Sequence, residues 1–233
     1  MATFNNPVLV LLSGGLDSSV LLHYVAQRTQ HGAVHTLSFN YGQRHDRELE
    51  CARWQASSAG AAHHTVLDIS FLAGLVGNAT ALVRGGREVP DLAELAPEQR
   101  AQPPTYVPNR NMILIAMAAA HAESAEIHNL FYGAQAQDEY GYWDCTKPFL
   151  DGINAVLSLN RAAPVRVHAP LIANSKADNV RLGLELGVDF AQTWSCYRGG
   201  ELACGTCPTC VERLNAFKAC GRRDPLPYMR LDS

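Results

Sequence analysis

A short run of glycines and hydroxyl residues near the N-terminus has the composition of a phosphate-binding loop. The run is Ser13, Gly14, Gly15, Leu16, Asp17, Ser18 and Ser19. Glycines without Cβ atoms let backbone N–H groups wrap an oxyanion, and serine hydroxyls add further donors. Asp17 is suited to holding Mg²⁺ against phosphates. The run therefore predicts a site for a nucleotide's phosphates, and a helix N-cap without a ligand is the alternative.

The position of this run supports the first interpretation. It follows an apolar stretch, residues 8–12, that is too short for a helix and is typical of a buried strand, and it precedes a helical pattern that starts at Ser18. A helix N-terminus favours anions. The run lacks the lysine of the GxxxxGK[ST] loop. This excludes a γ-phosphate switch or motor of that kind.

Four cysteines near the C-terminus have the spacing of a metal site. The pattern C-x7-C-x2-C-x2-C is formed by Cys196, Cys204, Cys207 and Cys210. Four thiolates within tetrahedral reach suit Zn²⁺ in a closed structural site. An iron–sulfur cluster and free buried thiols are the alternatives. Cys51, Cys145 and Cys220 stand apart and are interpreted as small hydrophobic residues.

Three further segments and one lysine carry side chains that suit a flat, charged substrate. The candidates are Tyr41, Gln43, Arg44 and His45 after the second predicted strand, Arg110 and Asn111 at a predicted helix start, the mixed acidic and aromatic positions Asp138, Tyr142 and Asp144, and Lys176. Cations can meet phosphate or carboxylate, and aromatic rings beside carboxylates can clamp a polar ring. A solvated loop, a polar helix cap and a surface turn are the alternatives.

The hydrophobic pattern predicts alternating strands and helices that would position these residues. Strands are expected near 8–12, 34–39, 65–69 and 127–132, with a short extended piece near 165–168. Helices are expected from 18, and over 46–59, 109–123, 149–159 and 176–186. Such alternation predicts an α/β fold with a mainly parallel sheet and helices on both faces. Residues 74–108 are interpreted as a surface excursion with a short helix near 92–100, and the tail from 221 as irregular.

Composition limits the function classes. The 233 residues include 47% hydrophobic and 18% charged residues, with a formal net charge of −3. This balance is typical of a folded protein, and it lacks the cationic excess of a general nucleic-acid binder. No run reaches the length of a membrane span, and the first residues lack a signal peptide. A cytoplasmic location with no membrane partner is therefore expected.

The motif SGGLDSS resembles the phosphate loop of the ATP pyrophosphatase, or PP-loop, superfamily. The resemblance implies a Rossmann-like, adenine nucleotide alpha hydrolase-like fold. It also implies that ATP binds along Leu12–Ser19, and that AMP rather than phosphate is transferred to the substrate.

Five motifs occur in the order seen in the QueC family, the 7-cyano-7-deazaguanine synthases of queuosine biosynthesis. They are SGGLDSS, FNYGQRHDREL, YVPNRN, DEYGYWDC, and SCY followed by CGTCPTC. The resemblance implies a carbon–nitrogen ligase that adenylates 7-carboxy-7-deazaguanine, forms an amide with ammonia, and adenylates the amide again to reach the nitrile, preQ0. It further implies a homodimer that uses ATP, Mg²⁺ and Zn²⁺.

The resemblance also implies roles for individual residues. Asp17, Arg44, Arg110 and Lys176 are expected to be catalytic, and the remaining candidates from Tyr41 to Asp144 to bind the deazaguanine. Residues 1–190 are expected to form the ATP-binding domain, with residues 191–233 as a zinc-binding segment packed on it.

Three alternative functions stay open on the sequence. Residues 143 and 146–149 depart from the usual family pattern, which leaves open a related ligase that joins the activated deazaguanine to another amine, such as a protein amine in an anti-phage system. The others are a non-enzymatic nucleotide-binding module and a tRNA-thiolating enzyme, for which Cys145 would be the reactive thiol.

Overall fold

The computed structural model describes residues 4–44, 46–96, 103–136 and 142–229. The strands are β1 (Val8–Leu11), β2 (Val34–Asn40), β3 (His63–Asp68), β4 (Asn129–Phe131) and β5 (Arg166–His168). The α-helices are α1 (Leu16–Ala26), α2 (Arg47–Ser58), α3 (Phe71–Val76), α4 (Arg110–Ser124), α5 (Lys147–Leu157), α6 (Lys176–Glu185) and α7 (Pro208–Ala219). Short 3₁₀ turns occur at Gly77–Ala79, Leu92–Glu94, Trp143–Cys145 and Phe190–Gln192.

The five strands form one parallel sheet in the order β3-β2-β1-β4-β5. Strand β1 lies in the centre, where Val8 pairs with Val34 of β2 and with Asn129 of β4. After β1, the chain therefore adds β2 and β3 on one side of it, and later adds β4 and β5 on the other side. This reversal creates a crevice at the carboxyl ends of β1 and β4, where α/β proteins commonly bind ligands.

Helices cover both faces of the sheet, as the alternating pattern predicted. Successive side chains of a strand point to opposite faces, and accordingly Val8 and Val10 belong to one hydrophobic core while Leu9 belongs to the other. The first core contains residues of α1, α2, α6 and α7, and the second contains residues of α3, α4 and α5. The predicted fold class is confirmed.

Several element boundaries differ from the sequence-based expectation. Helix α1 begins at Leu16, within the phosphate-loop motif. The predicted short helix near 92–100 is only a 3₁₀ turn over Leu92–Glu94, and residues 97–102 lie outside the described part. Helices α3 and α7 were not predicted, because α3 is short and α7 lies within the cysteine-rich segment. No helix in the described ranges is both long and apolar enough to cross a membrane.

Candidate active site

A cavity of about 260 Å³ opens at the carboxyl ends of β1 and β4. Its walls include Leu11 and Leu12 after β1, and Tyr132 and Gly133 after β4. The phosphate-loop motif, the start of α4 and the start of α6 face the same space. The sheet thus brings residues from distant parts of the sequence to the crevice that the strand order predicts.

The phosphate loop is held by hydrogen bonds among its own serines. The Ser13 and Ser18 hydroxyl oxygens are 2.9 Å apart, and the Gly15 N–H donates to Ser13 Oγ at 3.2 Å. The Ser19 hydroxyl donates to the Gly15 carbonyl at 2.8 Å and is fully buried. Ser13 and Ser18 line the cavity, so their hydroxyls are the ones placed to meet a ligand.

Gly14 occupies a position that no other residue could fill without distortion. Its φ of +83° is in the left-handed region, and a Cβ there would lie 2.0 Å from the backbone oxygen of Glu48. The Gly14 carbonyl also accepts a hydrogen bond from the Trp194 N–H at 2.9 Å. The glycine therefore lets helix α2 and the segment before the cysteine cluster approach the phosphate loop.

Asp17 is held by two residues of helix α6. Lys176 Nζ lies 3.3 Å from Asp17 Oδ2, and the Asn179 side-chain amide donates to Asp17 Oδ1 at 2.8 Å. Lys176 also lies 3.4 Å from the carboxylate of Glu212. Helix α6 is well defined at its start, where the Ser175 hydroxyl accepts from the Asp178 N–H at 3.2 Å. A fixed carboxylate and a fixed cation therefore share the phosphate end of the cavity.

Another part of the cavity wall holds an arginine that interacts with a phenol and a carboxyl group. Arg110, Tyr41 and Glu48 all line the cavity, and Tyr41 hydrogen-bonds to Arg110. Burial raises the pKa of the Tyr41 phenol to about 12, so it stays neutral at pH 7. Burial also raises the pKa of the Glu48 carboxyl to about 7, although the charge of Arg110 acts in the opposite direction.

The start of helix α4 is fixed by Asp144. The Asn111 N–H donates to Asp144 Oδ2 at 2.9 Å, and the Asn111 side chain donates to Cys145 Sγ at 3.1 Å. Asp144 is 2% exposed, so it acts from below the cavity surface. Tyr142 shares a hydrogen bond of 2.8 Å with the Thr105 hydroxyl. These contacts position Arg110, because it is the first residue of the same helix.

Two predicted residues serve mainly to shape loops. Arg44 donates to the carbonyl oxygens of Ala81 at 2.6 Å and Gly86 at 3.0 Å, and it also donates to that of Arg87. The Gln43 side chain accepts from the Tyr41 N–H at 2.9 Å and donates to the Phe39 carbonyl at 3.3 Å. Arg44 therefore fastens the 81–87 segment to the loop after β2, and its catalytic role stays a prediction.

The structure brings most of the predicted site residues into one cavity. Its predicted lining residues are Leu12, Ser13, Gly15, Leu16, Asp17, Ser18, Tyr41, Gln43, Arg110, Asn111 and Lys176. Within the described residues, those that do not reach the wall are Gly14, Ser19, Arg44, Tyr142 and Asp144. His45 and Asp138 lie outside the described residues. The functional assignments of all these residues remain predictions.

Further wall residues were not singled out from the sequence. They include Glu48, Tyr132, Gly133, Trp194, Ser195, Tyr197, Thr209 and Arg213. Glu48 lies within the quoted motif FNYGQRHDREL, and Ser195 and Tyr197 flank Cys196, so position within a motif was the available signal. Arg213 carried no such signal.

The four predicted cysteines lie together. All are buried, and their sulfur atoms lie within 4.8 Å of one another, with Cys204 Sγ and Cys210 Sγ 3.9 Å apart. The N–H groups of Cys204 and Cys207 donate to the sulfurs of Cys196 and Cys204 at 3.4 and 3.3 Å. Gly205, with φ +83°, permits the turn between two of the cysteines. Four converging sulfurs with backbone donors suit a metal ion.

The cysteine cluster adjoins the cavity through a buried arginine of α7. Arg213 forms two hydrogen bonds with Asp224, of 2.7 and 3.0 Å, and donates to the Phe190 carbonyl at 2.9 Å. Its remaining nitrogen donates to the hydroxyl of Thr193 at 2.7 Å. The arginine therefore fastens the C-terminal segment to the chain that leads into the cluster.

Comparison with known proteins connects this geometry to a family. The sequence profile described as "Queuosine biosynthesis protein QueC" matches residues 7–221. A 7-cyano-7-deazaguanine synthase of Clostridium kluyveri is 39% identical over 226 residues, covering 94% of this chain and 96% of the relative. The synthase of Chromohalobacter salexigens is 44% identical over 220 residues, covering 94% and 85%.

A solved structure shares the fold. It is the U34-tRNA thiolase NcsA from Methanococcus maripaludis with its [4Fe-4S] cluster, with a TM-score of 0.51 and 16% identity. The match covers 84% of this chain and 63% of the thiolase chain. At this identity the likeness shows the fold alone. The profile match and the identity to the synthases extend along nearly the whole chain, and on these grounds the chain belongs to the QueC family.

Proposed function

We propose that this protein is a 7-cyano-7-deazaguanine synthase, an ATP-dependent carbon–nitrogen ligase. Its substrates are 7-carboxy-7-deazaguanine and ammonia, and the product is 7-cyano-7-deazaguanine. The observation that carries the proposal is the single cavity in which the phosphate loop, Asp17, Lys176 and Arg110 converge, in a chain with full-length synthase relatives. Such a cavity can hold a nucleotide beside an acidic substrate.

The phosphate-loop end would bind the departing pyrophosphate of ATP. Ser13, Gly15 and Ser18 line this end, and the positive end of the α1 dipole favours phosphate oxygens. Lys176 adds a cation where negative charge develops as pyrophosphate leaves. Asp17 is a largely buried carboxylate at the same place and is suited to Mg²⁺, which would neutralise phosphate charge when bound.

The Arg110 end would hold the carboxylated ring. Arg110 supplies a permanent charge that can pair with a carboxylate, and the neutral phenol of Tyr41 can donate a hydrogen bond. Asn111 adds an amide, and Tyr132 adds an aromatic face. The substrate carboxylate would then face the α-phosphorus of ATP, so that adenylation needs positioning and charge stabilisation.

The reaction needs two activations because oxygen must leave twice. In the first, a carboxylate oxygen attacks the α-phosphorus and pyrophosphate departs; ammonia then displaces AMP and leaves the amide. In the second, the amide oxygen is adenylated, and loss of AMP and nitrogen-bound protons gives the nitrile. One cavity can serve both activations, since the amide oxygen would take the place of the carboxylate oxygen beside the α-phosphorus of ATP.

The cysteine cluster fits a single Zn²⁺ ion. Tetrahedral zinc with Zn–S bonds of about 2.3 Å places its sulfurs about 3.8 Å apart. The 3.9 Å between Cys204 Sγ and Cys210 Sγ supports this ion. A four-iron cluster places iron and sulfide between the thiolates and holds them further apart, so the close sulfurs favour zinc over the cluster of the thiolase. The zinc would stabilise the segment around Ser195 and Thr209 that lines the cavity.

The proposal extends to domain organisation and assembly. Residues 1–190 would form the ATP-binding domain and residues 191–233 the zinc-binding segment. The enzyme would act as a homodimer in the cytoplasm, which light scattering of the purified protein and fractionation of cells would test.

The decisive experiment is product analysis with the zinc-loaded protein. Incubation with ATP, Mg²⁺, ammonium and 7-carboxy-7-deazaguanine should yield AMP, pyrophosphate, the amide and then the nitrile, detected by mass. Without ammonium, pyrophosphate should form but the amide should not. Formation of ADP and phosphate in place of AMP would contradict the proposal.

A further inference from the structure

Glu48 lies at the point where the phosphate loop meets the Arg110 end of the cavity. It is the second residue of helix α2, and its backbone oxygen packs so closely against Gly14 that a Cβ at that glycine would lie 2.0 Å from it. Glu48 is among the residues that line the cavity, together with Ser13, Asp17 and Arg110, and its carboxyl group interacts with the charge of Arg110. Under the proposed function, a group there would lie beside the carboxyl carbon that ammonia attacks and from which AMP leaves.

Two residues with carboxylate side chains line the cavity within the described residues, and they differ in how far neighbouring groups engage them. Asp17 is engaged by Lys176 at 3.3 Å and by Asn179 at 2.8 Å. No hydrogen bond to the Glu48 carboxylate occurs within the described part of the chain. Glu48 is therefore the cavity carboxylate whose oxygens are available to an incoming nitrogen.

The groups around Glu48 leave it able to exchange a proton near neutrality. The Arg110 guanidinium faces it from α4, the neutral Tyr41 phenol from the loop after β2, and the Cys51 thiol from its own helix. Burial raises the pKa of Glu48 to about 7, and Arg110 acts against this rise. A carboxyl group of this kind can take a proton and release it again at physiological pH.

Both halves of the proposed reaction release protons from nitrogen. When ammonia attacks the acyl adenylate, a C–N bond forms, the nitrogen becomes positively charged, and a proton must leave as the C–O bond to AMP breaks. When the amide is adenylated, one N–H proton leaves as C=N forms, and the second leaves as the C–O bond breaks to give the nitrile. A base beside the reacting carbon is thus needed in each half.

We propose that Glu48 is the catalytic base that accepts these nitrogen-bound protons. The inference rests on the proposed function. In each half, the nitrogen lone pair forms the new bond to carbon, the proton passes to a Glu48 oxygen, and AMP leaves with the electron pair of the broken C–O bond. Glu48 then returns the proton to solvent through the open cavity.

The test separates adenylation from amine transfer in the Glu48→Gln variant. Isotope exchange between pyrophosphate and ATP, with the carboxylated substrate and no ammonium, reports the first activation, which needs no base. Exchange should stay within about threefold of the unmodified enzyme, whereas the rate of amide formation from ammonium should fall about 100-fold. The acid limb near pH 7 in the rate profile should disappear in the variant.

Rescue and control variants make the result specific. Hydroxylamine is largely uncharged at neutral pH and loses its proton easily after attack, so it should restore hydroxamate formation in Glu48→Gln. Glu50→Gln is the matched control, because Glu50 is exposed on the same helix, and it should behave like the unmodified enzyme. Unfolding temperatures of both variants show that the fold is kept.

Three outcomes would overturn the inference. They are amide formation at the unmodified rate in Glu48→Gln, loss of pyrophosphate exchange in that variant, and failure of hydroxylamine to restore product. Loss of pyrophosphate exchange would assign Glu48 to substrate binding or folding instead. An unmodified enzyme that shows no pyrophosphate exchange would instead refute the proposed function itself.

Discussion

Lys176 Nζ lies 3.3 Å from Asp17 Oδ2, which ties the first residue of helix α6 to the first turn of helix α1. Both side chains are largely shielded, with exposed fractions of 12% and 20%. The pair therefore fixes a cation beside the phosphate loop before any nucleotide binds. Such preorganisation lowers the cost of stabilising charge in the transition state.

Lys176→Met should slow adenylation. Removing the cation leaves the departing pyrophosphate less stabilised, and we expect a fall of about 100-fold in the rate of pyrophosphate release. Lys147→Met is the control, because Lys147 pairs with Asp151 on the surface and is exposed. Equal rates in the two variants would refute this role of Lys176.

Gly14→Ala should disrupt the phosphate loop. The added Cβ would lie 2.0 Å from the Glu48 backbone oxygen, so the loop or helix α2 must move, and ATP binding should weaken by at least tenfold. Gly32→Ala is the matched control, since Gly32 also has a positive φ of +78° but open space around it. Its cost should be limited to roughly 1–2 kcal/mol of backbone strain, with nucleotide affinity, measured by calorimetry, unchanged.

Cys207→Ser should destabilise the chain through loss of the metal. We expect the unfolding temperature to fall by roughly 10 °C or more, and chelation of the unmodified protein to have a similar effect. Cys220→Ser should change it little, because Cys220 lies outside the cluster and its thiol only donates to the Ala177 carbonyl at 3.4 Å. Metal analysis should find about one zinc per chain in the control. Unchanged metal content in Cys207→Ser would contradict the assignment.

Arg213→Met should be strongly destabilising. The substitution leaves the buried Asp224 without its cationic partner, although the Leu226 N–H and the Tyr228 hydroxyl still donate to it, and both side chains of the ion pair are 1% exposed. Loss of one member of such a pair costs about 3–5 kcal/mol, which denaturant unfolding would measure. Arg181→Met removes an exposed partner of Asp178 and should cost below about 1 kcal/mol. Similar losses for both variants would show that burial of the Arg213 pair adds nothing.

Stability should fall as the solution becomes acidic. The Gln55 amide nitrogen donates to the carbonyls of Asp189 and Gln192, so its oxygen faces His23 Nε2 at 3.0 Å and His23 is the donor. Burial lowers the pKa of His23 from 6.5, while the hydrogen bond opposes this. The unfolded chain therefore binds more protons, and the free energy of unfolding decreases as pH falls through 6.5 and below.

His23→Gln should weaken that pH dependence. Glutamine keeps a donor for Gln55 but does not titrate, so the fall in the free energy of unfolding between pH 7 and pH 5 should be smaller than in the unmodified chain. The exposed His31→Gln is the control and should leave the dependence unchanged. Burial also lowers the pKa of His35, His64 and His168, so part of the effect should persist. An unaltered pH profile in His23→Gln would contradict this account.

The parts of the fold with clear hydrophobic periodicity could be predicted from the sequence. Strand β1 and helix α6 were expected, because the apolar run over residues 8–12 and the helical pattern over 176–186 are clear local signals; the structure has them at Val8–Leu11 and Lys176–Glu185. Helix α7 was missed, since it begins within the cysteine motif, contains Cys210 and has several polar positions. Its burial depends on contacts with distant segments.

Part of the candidate site could also be predicted, because motifs report local chemistry. The phosphate loop was located from its composition and its position between a strand and a helix, and the four cysteines from their spacing. Arg44 was expected at the site as a cation, but its guanidinium is occupied by the carbonyls of Ala81 and Gly86. Glu48 was overlooked although it lies within the motif FNYGQRHDREL, since its place at the cavity depends on the packing of α2 against Gly14.

The hydrogen bond from the Trp194 N–H to the Gly14 carbonyl joins the phosphate loop to a residue only two positions before Cys196. We expect displacement of Cys196 to move the Gly14 backbone, which belongs to the loop that we propose binds ATP. By thermodynamic reciprocity, nucleotide would strengthen retention of the ion by the same factor by which the ion raises affinity for nucleotide. The affinity of the enzyme for ATP would therefore depend on whether the metal is bound.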